Sequence, residues 1–89
     1  MTSLLLALPS TAIAASACLP HDKMLDLLAS RYNEYPSSVG LEHGGRLIEV
    51  FTAEDGSTWT LAMTTPDGAT CVIAAGVEWM EALATKETY

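Results

Sequence analysis

Two Asp-Gly turns constrain this chain more than any other feature. Glu54-Asp55-Gly56-Ser57 and Pro66-Asp67-Gly68 separate three β-prone runs, Arg46 to Thr52, Thr58 to Thr64 and Ala69 to Ala75. Asp-Gly between alternating apolar residues is a strong short-range hairpin signal, because glycine and aspartate accept the positive φ that tight turns require. An antiparallel meander follows. A weaker fourth strand is expected around Val39 to Glu42, before His43-Gly44-Gly45.

A sheet with apolar residues needs a cover. Pro20-His21-Asp22 opens a helical pattern in which Met24, Leu25, Leu28 and Tyr32 share one face, with Leu27 widening it. Asp22 and Asp26 lie towards the N-terminus and Arg31 towards the C-terminus, as the helix dipole favours. Pro36 and Ser37-Ser38 are expected to end the helix. The fold class expected is α+β: one N-terminal helix packed on a three- to four-stranded antiparallel meander.

Turn type decides which side chains share a face. With Pro66-Asp67-Gly68 as a type I turn and Gly68 as a left-handed bulge, Thr65 faces Ala69 and Met63 faces Cys71. Leu61 then faces Ile73 and Trp59 faces Ala75. Trp59, Leu61, Met63, Cys71 and Ile73 thereby share one side, where a helix beginning just after Cys18 would lie over Cys71. A two-residue turn instead pairs Met63 with Val72. The first hairpin leaves two options open. A bulged turn puts Leu47, Glu49 and Phe51 on the Trp59 face, and a two-residue Asp55-Gly56 turn puts Ile48 and Val50 there. Either way Arg46 to Thr52 is apolar on both sides, so one sheet face is left to the tail, to another chain or to solvent.

The first residues read as an export signal. Leu4, Leu5, Leu6 and Leu8 form an apolar segment, and Ala15-Ser16-Ala17 is an A-x-A cleavage site before Cys18. Cleavage after Ala14 is a second option. Met1-Thr2-Ser3 lacks the basic residue of an ordinary signal, which points to a natural start upstream. The apolar run, broken by Pro9 and Ser10, is too short to span a bilayer as a helix. The division expected is a signal peptide at 1–17, one domain at 18–84 and a flexible tail at 85–89. Periplasmic or secreted localisation follows, the alternative being a lipoprotein anchored at Cys18, against which Ala15 stands where such signals carry leucine.

Export permits the only two cysteines, Cys18 and Cys71, to form a disulfide. Their bridge closes a loop of fifty-four residues counted inclusively. The chain-entropy model makes this worth roughly 4 kcal/mol, substantial for a mature chain of seventy-two residues. Their wide separation, with no C-x-x-C, favours a structural over a redox role.

Charge narrows the partners. Eleven carboxylates against four basic side chains give a net charge of −7, all of it downstream of the signal. Nucleic acid and anionic membrane surfaces need Lys and Arg clusters that this chain lacks. Metal ligation by His21, Asp22, Glu42 and His43 lacks the i, i+3 or i, i+4 histidine spacing of common sites. No G-x-S-x-G or Cys-His arrangement supports nucleophilic catalysis, and Gly44-Gly45 lacks a phosphate-loop context. No catalytic residue, metal or cofactor is therefore assigned.

The binding candidates are Glu49, Phe51, Trp59 and Trp79. Glu49 is expected to point to water at a sheet edge; a core-facing Glu49 would instead mark a site by its desolvation. Trp59, at the centre of a strand, is expected in the core. Trp79 is placed equally by core and interface roles, in a tail from Val77 to Tyr89 with a short helix expected over Val77 to Ala84, from which Trp79 and Met80 fold back over the open sheet face. The partner expected is an envelope protein, a small ligand or a second copy of the chain, bound through an apolar sheet face. A small hydrolase or metal-dependent enzyme using Glu49 or His43 is the alternative, as is a self-associating envelope component.

Gly56-Ser57-Thr58-Trp59-Thr60 followed by Pro66-Asp67-Gly68-Ala69-Thr70-Cys71 and Ala74-Ala75-Gly76 resembles a group of small exported bacterial proteins without an assigned function. The likeness runs from about Cys18 to Trp79 and implies export and one cysteine near each end of the domain. In layout alone, the chain is similar to PepSY-type periplasmic domains, in which a helix packs on a short antiparallel sheet.

Overall fold

The computed structural model describes residues 18–82. The expected signal segment 1–17, the last two residues of the expected domain and the expected tail 85–89 lie outside the described residues. The elements are β1 (Cys18–Pro20), α1 (His21–Tyr32), β2 (Glu34–Leu41), β3 (Leu47–Ala53), β4 (Thr58–Thr64) and β5 (Ala69–Val77). All strands join one antiparallel sheet in the order β1-β5-β4-β3-β2. The α+β class and the helix-on-meander layout hold, with five strands in place of three or four.

Both additions to the sheet have local causes. β1 has three residues, too few to show a period in sequence. Its register, Cys18 opposite Cys71 and Pro20 opposite Ala69, is held by the Cys18–Cys71 disulfide, with Cα atoms 4.0 Å apart. β2 begins at Glu34, five residues before the expected Val39. Pro36 does not break it because β2 is the outermost strand, where a missing donor costs no ladder bond. The register shifts between Pro36 and Ser38, and the Ser37 hydroxyl donates to the Val50 carbonyl (3.2 Å).

α1 starts where expected and stops earlier. Pro20 supplies the extended backbone before the first turn, and the His21 N–H donates to the Gly68 carbonyl (3.0 Å). Asn33, left-handed at φ 57°, ends the helix three residues before Pro36, its N–H reaching the carbonyls of Ala29 and Leu28. Met24 and Leu28 are buried against Phe51 and Ala62, with Leu19, Leu25, Leu27 and Val72 around them. Full burial of each large side chain stabilises by about 1.5–3 kcal/mol. Tyr32 belongs to the expected buried stripe by spacing, yet it is 55% exposed, because the helix terminates there at the sheet margin.

The turns set the register. At Pro66-Asp67-Gly68 the Gly68 N–H donates to the Thr65 carbonyl (2.8 Å) and the Thr65 N–H to the Ala69 carbonyl (3.0 Å). Gly68 has φ 94°, which glycine adopts without a Cβ clash. This is the bulged turn, and Met63 faces Cys71. The expected pairs beyond it are displaced. A bulge at Ile73 pairs Leu61 with Ala74 and Trp59 with Gly76. In the other hairpin Thr52 faces Trp59, so Ile48 and Val50 share the Trp59 face.

The helix lies on the opposite side from the one expected. Beneath it sit Phe51, Ala62 and Val72, while Trp59, Leu61, Met63 and Cys71 occupy the other face. The reversal follows from β1: Leu19 alternates with Cys18, packs into the core and carries the chain into α1 on that side. The disulfide therefore lies on the face away from the helix.

Candidate functional site

The face without a helix is ordered in three cross-strand rows. Directly opposed residues of an antiparallel sheet point to the same side. The first row is Tyr35, Thr52, Trp59 and Gly76; the second is Ser38, Val50, Leu61 and Ala74; the third is Gly40, Ile48, Met63 and Cys71, continued by Cys18. No residue of the three rows is charged, on a chain of net charge −7. Ile48, Val50, Trp59, Leu61 and Met63 are only half-buried, and Tyr35 is 53% exposed. Four strands about 4.8 Å apart and three rows about 6.8 Å apart give a footprint of roughly 400 Å². A face of this size falls within the range of the largest patches on single soluble domains, which are often functional.

An aromatic pair caps one end of that face. The rings of Trp59 and Trp79 are 5.6 Å apart, tilted by 54°. The Trp79 N–H donates to the Gly56 carbonyl (2.9 Å), the Glu78 N–H to the Ser57 carbonyl (3.2 Å) and Trp59 Nε1 to the Val77 carbonyl (3.1 Å). Gly56 is required twice over. Its φ is 77°, and a Cβ there would sit 2.9 Å from the Trp79 carbonyl oxygen. The chain after β5 is thus pinned to the β3–β4 turn in non-helical form, in place of the helix expected from Val77 onward; 83–84 lie outside the described residues. Trp59 is not a core residue, and Trp79 does fold back onto the sheet, whereas Met80 is 79% exposed.

The face beneath the helix is unexpectedly polar. Glu49 is buried and points inward, not to water at an edge as expected. The parity of β3 places Glu49 beside Phe51 under α1, where His21 Nε2 lies 2.8 Å from its Oε1. Glu34, 2% exposed, accepts from the Thr60 hydroxyl at 2.7 Å, and the hydroxyls of Thr64 and Thr70 meet at 2.7 Å. Among the described residues every buried side-chain N or O has a partner. Hydrogen bonding of this kind offsets the cost of taking carboxylates out of water. Phe51 is fully buried in the core, so it is not accessible for binding. Sequence reading missed Glu34 because it precedes Pro36, where the helix was expected to continue. The alternation of Thr60 and Thr64 with Ala62 was the available signal that this face carries hydroxyls.

Of the remaining charges, Asp22, Lys23, Asp26 and Arg31 lie on α1, and others sit at the turns. Arg46 holds Glu42 through two hydrogen bonds of 2.7 and 2.5 Å, and lowers its pKa below the ordinary carboxylate range. Hydrogen bonds from Ser57 lower Asp55, and those from the Thr65 hydroxyl and the Ala69 N–H lower Asp67. His43 is exposed beside Gly44. His21, Asp22, Glu42 and His43 do not assemble: among the described residues no three His, Cys, Asp or Glu side chains are grouped to hold a metal. No helix of the described residues is long and apolar enough to cross a membrane.

No protein-family model, curated protein or solved structure matches this chain. The three rows offer contact area and aromatic anchors; the His21–Glu49 pair joins an imidazole to a buried carboxylate beneath the helix.

Proposed function

We propose that this protein is a non-enzymatic binding domain of the cell envelope that engages another protein through the open sheet face. The observation that carries the reading is the three-row surface without a charge on a strongly acidic molecule. Small-molecule sites are characteristically concave, whereas a sheet face presents breadth, which suits a protein partner. Trp59 and Tyr35 supply large aromatic side chains of the kind that dominate interface energetics. The disulfide fits an oxidising compartment, and the signal-like leader supports periplasmic or secreted placement, with Cys18 acylation as the alternative. Membership of the group of small exported proteins that the G-x-T-W-T and P-D-G-x-x-C runs resemble belongs to the same proposal.

The experiment is photo-crosslinking in the producing cell, with a photoreactive side chain at Leu61 or, on the helix, at exposed Asp26. A protein adduct from position 61 and none from position 26 supports the reading. Adducts from neither position would sink it.

A second reading, a small hydrolase or metal-dependent enzyme, is favoured by one observation, the His21–Glu49 pair at 2.8 Å. Bound-metal analysis of the purified protein and a Glu49→Gln variant discriminate. A bound metal lost on substitution would displace the binding reading.

A further inference from the structure

We infer that the Cys18–Cys71 bridge is a thiol-exchange site as well as a staple, opened by a partner's thiolate that attacks Cys18 with Cys71 as the leaving group. Three observations lead to it.

The first is the place of the bridge in the sheet. The His21 N–H bond to the Gly68 carbonyl sets the alternation of the β1–β5 ladder. Leu19 and Thr70 thereby form a hydrogen-bonded pair, and Cys18 and Cys71 a non-hydrogen-bonded one. No backbone hydrogen bond runs between the two cysteines, so sulfur alone joins them. Pro20 contributes no donor.

The second is access. β1 is the outermost strand on its side of the sheet; Cys18 is exposed there, while Cys71 is half-buried. A thiolate attacks in line with the S–S bond, and access decides which sulfur it takes. The path to Cys18 comes from outside the sheet, where no strand of the described residues lies. The path to Cys71 comes from the β4 side, where Met63 stands directly opposite it. Exposed disulfides are also the labile ones as a class.

The third is the consequence. β1 carries Leu19 into the core and runs directly into α1. With the bridge open, β1 is left on the Leu19–Thr70 pair and the His21–Gly68 bond. The state of the sulfurs is thus passed to the start of the helix, where His21 meets Glu49.

The reductant is a protein dithiol. Its first thiolate forms a bond to Cys18 Sγ as the Cys18–Cys71 bond breaks, and Cys71 leaves as a thiolate that takes a proton from water. Its second thiolate then attacks the reductant's own sulfur in the mixed disulfide and releases Cys18, which is protonated in turn. The bridge is reduced and the dithiol is oxidised to a disulfide; the same steps reversed close the bridge.

The test uses the oxidised full chain under native conditions, with 2-mercaptoethanol as the attacking thiol. Samples are quenched at short times with N-ethylmaleimide and mapped by peptide mass. Mercaptoethanol on Cys18 with maleimide on Cys71 is expected to exceed the reverse product by about tenfold or more. The rate is expected to be unchanged by urea too dilute to unfold the protein. Equal labelling of the two sulfurs, or a preference for Cys71, overturns the inference. A rate that climbs with urea in step with unfolding also overturns it, because the bridge then exchanges only in the unfolded chain.

Discussion

His21 and Glu49 stand 28 positions apart in sequence, yet Nε2 of one lies 2.8 Å from Oε1 of the other. The contact joins the first residue of α1 to the middle of β3. It ties the start of the helix across the sheet, and it gives the buried Glu49 carboxylate its partner.

Removing that partner is expected to cost more than removing the pair. His21→Ala leaves a buried carboxylate unsatisfied, a penalty of about 1–3 kcal/mol or somewhat more for a charged group. Glu49→Gln keeps an acceptor for the imidazole and should cost less. Urea unfolding of the two single variants and the double variant measures the coupling. Additive effects would show that the contact contributes nothing.

Gly76 is expected to tolerate no side chain. A Cβ there would stand 3.0 Å from three atoms of the Trp59 indole. Gly76→Ala should push the ring away, disturb its packing on Trp79 and destabilise by about 1–3 kcal/mol. Near-ultraviolet circular dichroism reads the tryptophan pair directly, and an unchanged spectrum would contradict the packing described.

Loss of the bridge should be the most damaging single change. The buried core rests on Met24, Leu28, Phe51 and Ala62, so a staple matters. Cys71→Ser is expected to lower stability by roughly 2–5 kcal/mol and to free β1 from β5. A Cys71→Ser protein with an unchanged melting temperature would falsify that role.

Acid should weaken the turns. Asp67 and Asp55 have pKa values depressed by hydrogen bonds made in the fold, and Glu42 by Arg46. A depressed carboxylate contributes stability that is present above its unfolded pKa and is lost as pH falls through the folded one. The loss is therefore expected below about pH 4, and it should be small because all three groups are solvated. Asp67→Asn should flatten that part of the stability–pH curve. An equal slope in the variant would remove Asp67 from the account.

The legible parts of this fold were those encoded over short distances. Turn chemistry placed β4 and β5, and the apolar spacing placed α1. The turn at Gly68 gave the pairing of Met63 with Cys71. What escaped was set by longer-range geometry. Which face receives the helix depends on Leu19 in a three-residue strand that no periodicity reveals. The bulge at Ile73 moves Gly76 under Trp59, and nothing in Val72-Ile73-Ala74 announces it. Pro36 reads as a breaker until it is known to lie on the outermost strand. The site was split in the same way. Trp59 and Trp79 drew attention by residue type, but Glu49 and Glu34 take their environment from strand parity and from the helix laid across them. Phe51 was named from its apolar run, and it fills the core because parity turned it inward.

The sulfur bridge also decides how the molecule would bear a load. Cys18 is covalently joined to β5, so a pull between it and the end of the chain passes from Cys18 to Cys71 through sulfur. Residues 19–70, which include α1, β2, β3 and β4, lie off that covalent path and are loaded only through the hydrogen bonds of β5. Among the described residues, the covalent path runs along β5 from Cys71 to Val77 and into the segment bearing Trp79. The segment after β5 can therefore be pulled, and the aromatic clasp at the β3–β4 turn opened, with no tension along the backbone of residues 19–70.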